Sequence, residues 1–140
     1  MRSTAFIALL AMLALAAGPA AAQGSGPNGP VRIGLLLDMS GPYADMTGPG
    51  SQTAAMMAAE DFGGTVLGRK IEVLAVDHQN KADLASAKAQ EWFGPGNVDA
   101  IVEAVGSSAA LAVQEIGRKA NKIVMFSAPA SSTQTVVRPS

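Results

Sequence analysis

Residues 31–50 read VRIGLLLDMSGPYADMTGPG. The first part, VRIGLLL (31–37), is a short apolar run without clean alternation, the pattern of a strand covered on both faces. The second part, DMSGPYADMTGPG (38–50), is loop-like in its Asp, Ser, Gly, Pro and Tyr. It leads into a helix candidate over 49–61 (PGSQTAAMMAAED), with Pro tolerated in the first turn and Gly63-Gly64 as the stop. A strand that delivers a polar loop to the start of a helix is the opening unit of an alternating fold.

The unit repeats downstream. IEVLAVD (71–77) reads as a strand, the polar loop 78–81 follows it, and a helix is expected over 83–93. Gly94-Pro95-Gly96-Asn97 breaks that helix. DAIVEAV (99–105) reads as a third strand, Gly106-Ser107-Ser108 as a turn, and 109–120 as a helix; KIVMF (122–126) is a fourth strand ending in a Ser- and Ala-rich loop. The order β-α-β-α-β-α-β implies an α/β fold, an open parallel sheet with right-handed crossovers and helices on both faces. The helices are rich in Ala and Met and are expected to lie close to the sheet.

Composition narrows the class. The chain has 140 residues, 49% of them hydrophobic, ten basic against eleven acidic residues and no cysteine. This describes one globular domain of modest size, and the near-zero net charge offers no footprint for nucleic acid. The N-terminus predicts a signal peptide over 1–22: Arg2 supplies a positive start, Ala5 to Ala17 an apolar core, and Ala20-Ala21-Ala22 small residues for cleavage after Ala22. The apolar run is shorter than the ~20 residues of a membrane span and Gly18-Pro19 interrupts it. With no cysteine after that core, a lipid anchor is not expected. The expected compartment is the periplasm, with a fold that does without disulfides. Residues 23–30 (QGSGPNGP) read as a flexible lead-in.

In open parallel sheets ligands bind beyond the carboxyl ends of the strands. The loops that reach that end are 38–48, 77–82, 106–108 and 127–132. Ser107 and Ser108 open a helix, where free amides, a hydroxyl and the helix dipole suit an anion; the alternative is a simple N-cap. Ser131 and the carbonyls before it could orient an ammonium group or form an ordinary turn. Tyr43 could stack on a ligand or pack on its own strand. Chemistry requiring cofactors has no motif here: no G-x-G-x-x-G follows the first strand and no Gly-Lys-Ser/Thr appears. His78, the one histidine, lacks partners at metal-ligand spacing and is expected to cap or hydrogen-bond locally. V-G-S-S-A around Ser107 lacks the second Gly of a nucleophile elbow, so no enzyme is expected. Asp38 and Asp77, at the ends of two strands, suggest a phospho-acceptor pocket, a reading that the signal peptide opposes.

IGLLLDMSGPYAD (33–45), AAMMAAEDFGG (54–64), LGRKIEVLAVDHQNKAD (67–83), the WF pair (92–93) before VDAIVE (98–103), SSAALAVQEI (107–116) and NKIVMFSAPASS (121–132) together resemble the N-terminal part of the type I periplasmic substrate-binding proteins of branched-chain amino-acid ABC transporters, the leucine/isoleucine/valine-binding group. The resemblance implies a solute carrier that binds an amino acid or related small carboxylate and delivers it to an inner-membrane ABC permease. It implies a carboxylate contact at Ser107 and an ammonium contact at Ser131 and the carbonyl of Pro129 or its neighbour. It departs from the leucine-binding pattern at Met46, where those members carry Trp, with Tyr43 three residues earlier, and at Ser131, where the family carries Thr. The ligand class implied is therefore broad, from aliphatic amino acids to amides, urea and aromatic acids. Such proteins have two lobes that close on the ligand, and the resemblance makes residues 31–140 a partial first lobe. A ligand-sensing domain of a receptor or regulator with the same fold is the alternative.

Overall fold

A computed structural model describes residues 29–127 and residue 130. The signal-peptide segment, most of the lead-in, Pro129 and Ser131 lie outside the described residues. The elements run β1 (Val31–Leu37), α1 (Ala44–Thr47), α2 (Pro49–Asp61), β2 (Thr65–Val66), β3 (Arg69–Asp77), α3 (Ala82–Phe93), β4 (Ala100–Ala104), α4 (Ser107–Ala120) and β5 (Ile123–Val124). The sheet order is β2-β3-β1-β4-β5. β1 pairs in parallel with both β3 and β4, and β4 with β5. The α/β architecture with a mainly parallel sheet and helices on both faces is the one the sequence implies. One strand was not foreseen: β2 pairs antiparallel with β3. Gly63, Gly64 and Gly68, all at positive φ, turn the chain around it.

The two faces of the sheet are packed differently. On one face Leu36, Ile101 and Ala104 meet Ala85, Ala89 and Trp92 of α3 and Ala109 and Val113 of α4. The α3 residues recur at i, i+4 and i+7, one stripe of a helix, and each fully buried Leu or Ile stabilises by about 1.5–3 kcal/mol. The Trp92 ring reaches the sheet because Gly34, in the middle of β1, has no side chain: a Cβ there would lie 2.5 Å from Trp92 Cζ3.

The other face carries Leu35, Leu37 and Val105 with Val73, Ala75, Val102 and Ala55 of α2. Here the expectation of a close-lying helix is corrected. α2 has no buried residue, Met56 and Met57 are exposed, and beside the contact that Ala55 makes an apolar groove of about 410 Å³ lies between Ala58, Ala59 and Phe62 and the strand residues Ile33 and Ile71. Alanine-rich turns supply too little side-chain length to fill the space, and the methionines point away from it.

At the amino ends of the strands, Arg32 donates to Glu72 and its amide donates to the Asp99 carboxylate. The Arg69 guanidinium donates to the carbonyls of Gly29 and Pro30, so the end of the lead-in is tied to β3.

His78 also differs from expectation. Its backbone carbonyl accepts locally from the Lys81 amide, while its N–H donates across to the Leu37 carbonyl at the end of β1. Its side chain instead is fully buried, and neither ring nitrogen has a hydrogen-bond partner among the described residues. Burial holds its pKa below the ordinary 6.5, with Asp38 and Asp77 opposing that shift.

Two outcomes follow from this packing. Gly34→Ala forces a methyl into the Trp92 ring and is expected to destabilise by about 1–3 kcal/mol, as overpacked cores do, read by chemical denaturation. For His78, the unfolded chain takes up a proton near pH 6.5 while the folded chain resists it until lower pH. Stability is therefore expected to fall as pH drops below about 6.5, because the unfolded state then binds more protons. His78→Phe should flatten that slope; an equal slope in the variant would assign it to other groups.

Candidate functional site

The strand order makes β1 the turning point of the fold. After β1 the chain moves to β3 on one side, and later to β4 on the other. Loops leaving the carboxyl ends of β1 and β4 therefore diverge and leave a crevice, the usual ligand position in open α/β sheets. A cavity of about 100 Å³ lies there, lined by Tyr43, Met46 and Thr47 from the first loop and by Glu103, Val105, Gly106 and Ser107 from β4 and α4, with Ala130 beside them. It is smaller than the 300–1,000 Å³ of a complete small-molecule pocket.

The first loop is held by two carboxylates. Asp38, fully buried, accepts the Gly41 amide at 2.8 Å and the Tyr43 amide at 3.0 Å. Asp77 accepts the Ser40 hydroxyl at 2.6 Å and the Met39 and Gln79 amides. The Ser40 hydroxyl, with those two amides, holds the Asp77 carboxyl below its ordinary 3.8. Both aspartates are thus engaged in shaping loops. α1 follows as a single turn, closed by the Thr47 hydroxyl on the Tyr43 carbonyl, and it presents Tyr43 and Met46 at the mouth of the cavity, both exposed.

The opposite wall starts at Gly106. Its φ of 84° is the left-handed region, and a Cβ there would meet Asn80 Oδ1 at 2.6 Å, so glycine alone fits. Gly106, not Ser107 or Ser108, is the N-cap of α4, and no side chain caps it. The helix begins two residues earlier than the sequence implied. Its first bond runs from the Ala110 amide to the Gly106 carbonyl, which leaves the amides of Ser107, Ser108 and Ala109 ahead of the ladder. Ser107 lies in the cavity wall; Ser108 is exposed and is not among the wall residues.

Glu103 was missed by sequence reasoning. Its position in an apolar strand marks it only as an odd residue, and its direction depends on an irregularity. Gly34 pairs with Ile101, but Leu35 pairs with Glu103, so β4 carries one extra residue, Val102, at this point. Such a bulge re-aims the side chains beyond it. Leu36 and Ala104 share the α3/α4 face, which puts Glu103 with Leu35 on the opposite face. Without the bulge its carboxylate would enter the core. Glu103 is 7% exposed, and its Oε2 accepts the Ser127 hydroxyl from the loop after β5. Thr47 and Gly106 belong to two of the post-strand loops that the sequence marks, though neither was singled out as a site residue; the tertiary fold brings them into one wall.

Residues 30–140 match the sequence profile of the periplasmic binding protein family. Among solved structures, a periplasmic binding protein from Burkholderia mallei is 42% identical with a TM-score of 0.75, covering 79% of this chain and 29% of its own. A branched-chain amino-acid ABC transporter periplasmic ligand-binding protein from Burkholderia xenovorans LB400 is 40% identical with a TM-score of 0.69, covering 72% of this chain and 27% of its own. A solute-binding protein of an ABC transporter from Rhodopseudomonas palustris BisB5, in complex with 3,4-dihydroxybenzoic acid, is 29% identical with a TM-score of 0.67, covering 75% and 29%. Among curated proteins none matches. The chain spans less than a third of the length of these structures. With the parallel sheet, the crevice at its turning point and the profile match across nearly all described residues, the chain belongs to the periplasmic binding protein family.

Proposed function

We propose that the chain forms one wall of the solute site in a periplasmic solute-binding component of an ABC importer, a carrier that performs no covalent chemistry. The solute is an amino acid or a related small carboxylate, passed on to an inner-membrane permease. The observation that carries this reading is the start of α4. The Ser107 amide and hydroxyl stand ahead of the helix ladder, at the positive end of the dipole, in the wall of the crevice between β1 and β4. That combination attracts a carboxylate. The relatives support the same class: one is described as serving branched-chain amino acids and another holds 3,4-dihydroxybenzoic acid, and both kinds of solute carry a carboxyl group.

Tyr43 and Met46, at the cavity mouth, contact the solute's side chain in this reading. The loop after β5, with Pro129 and Ser131, holds a second polar group. A signal peptide ending at Ala22 directs the protein to the periplasm.

Ser107→Ala in the full-length chain removes a hydrogen bond to a charged group and is expected to weaken solute binding by about 1–3 kcal/mol, measured by titration calorimetry; unchanged affinity removes Ser107 from the site. The intact mass of the exported protein is expected to begin at Gln23, and a mass that retains Met1 overturns the cleavage.

A further inference from the structure

The cavity wall contains a charge that the carboxylate-binding reading leaves unexplained. A carboxylate solute at the start of α4 sits in the same small cavity as Glu103, and two negative groups that close repel each other. Glu103 is more than nine-tenths buried, and its hydrogen bond from Ser127 comes from a neutral hydroxyl, which orients the carboxylate without cancelling its charge. The ion pairs among the described residues engage Glu72, Glu91, Asp99 and Glu115 instead. A buried carboxylate is stable when it is hydrogen-bonded and faces a compensating charge. The bulge in β4 turns this one toward the cavity and away from the core.

We infer that Glu103 selects a zwitterion: the solute's ammonium group docks against the Glu103 carboxylate, while its own carboxylate meets the amides and hydroxyl at the start of α4. The inference rests on the proposed solute-binding function and narrows it to α-amino acids. Plain organic acids, benzoates included, supply the anion without the cation and are disfavoured by the same residue. Ser127 acts as a positioning residue through its hydrogen bond to Oε2.

The test compares matched probes on the full-length chain by titration calorimetry: L-leucine with 4-methylpentanoate, L-phenylalanine with 3-phenylpropanoate, and benzoate. The wild type is expected to bind at least one amino acid tenfold or more tighter than its des-amino partner. Glu103→Gln keeps the shape and can still bond Ser127, and it is expected to lower that ratio at least tenfold, with the des-amino acid bound as well as before or better. An unchanged ratio in Glu103→Gln overturns the inference and leaves the carrier function standing, as does a wild type that prefers the des-amino acids or benzoate. Failure of every probe to bind the wild type overturns the carrier reading itself, and the inference with it. Should Glu103→Gln not fold, Ser127→Ala provides the second reading: an amino-acid affinity lowered threefold or more with the des-amino acid unchanged supports the assignment, and an unmoved ratio overturns it.

Discussion

A carboxylate buried at the end of the central strand sets the shape of everything around the crevice. Asp38 follows β1, the middle strand of the sheet, and it is fully enclosed. An isolated charge in that place would be strongly unfavourable, so the chain must curl back to supply donors, and the amides of Gly41 and Tyr43 do so. Gly41 must be glycine for the curl to close, because a Cβ there would strike the same carboxylate. Once the curl is fixed, the single turn of α1 and the start of α2 have little freedom. Asp77, one strand over and in register with Leu37, grips the same loop from the other side. The polar segment after β1 is thereby a rigid wall.

The resulting molecule is asymmetric about its sheet. One face is closed by α3 and α4 through Trp92 and a set of small residues, and this is where burial is dense. The other has a thinner cluster, and α2 stands away from it. The crevice lies at the carboxyl end of both, where the loops of β1 and the start of α4 approach each other. Rigid strands therefore position the polar groups, and the loops supply chemistry without having to hold the fold together.

Much of the fold was legible in the sequence because the signals were strong and local. VRIGLLL, IEVLAVD and the Ala-rich segments differ in period and in flanking Gly and Pro, and 49–61 matches the helix α2 at both ends. The misses have physical causes. β2 is two residues long, too short to carry a pattern, and exists because three glycines fold it onto β3. The start of α4 was placed late because Ser107 and Ser108 are good capping residues, while the cap is decided by a left-handed backbone that only Gly106 adopts and that composition does not display. Ser107, Tyr43 and Met46 were identifiable as residues of post-strand loops. Glu103 was not, since alternation along DAIVEAV assigns it to the wrong side, and the expectation that His78 caps or hydrogen-bonds within its loop fails for its side chain because nothing in the sequence marks that loop position as buried.

The extra residue in β4 has a consequence for how this protein can vary. Ile101 and Glu103 are two positions apart in one strand yet answer to different neighbours, because the alternation is interrupted between them. Ile101 is constrained by the volume beneath α3 and α4, as is Ala104 beyond the interruption, while Glu103 answers to the cavity wall and to Ser127. The strand is in effect two reading frames spliced at Val102. Position 103 lines the cavity off the face that packs Ile101 and Ala104, so a change of side chain there alters the crevice wall before it alters the core beneath the helices.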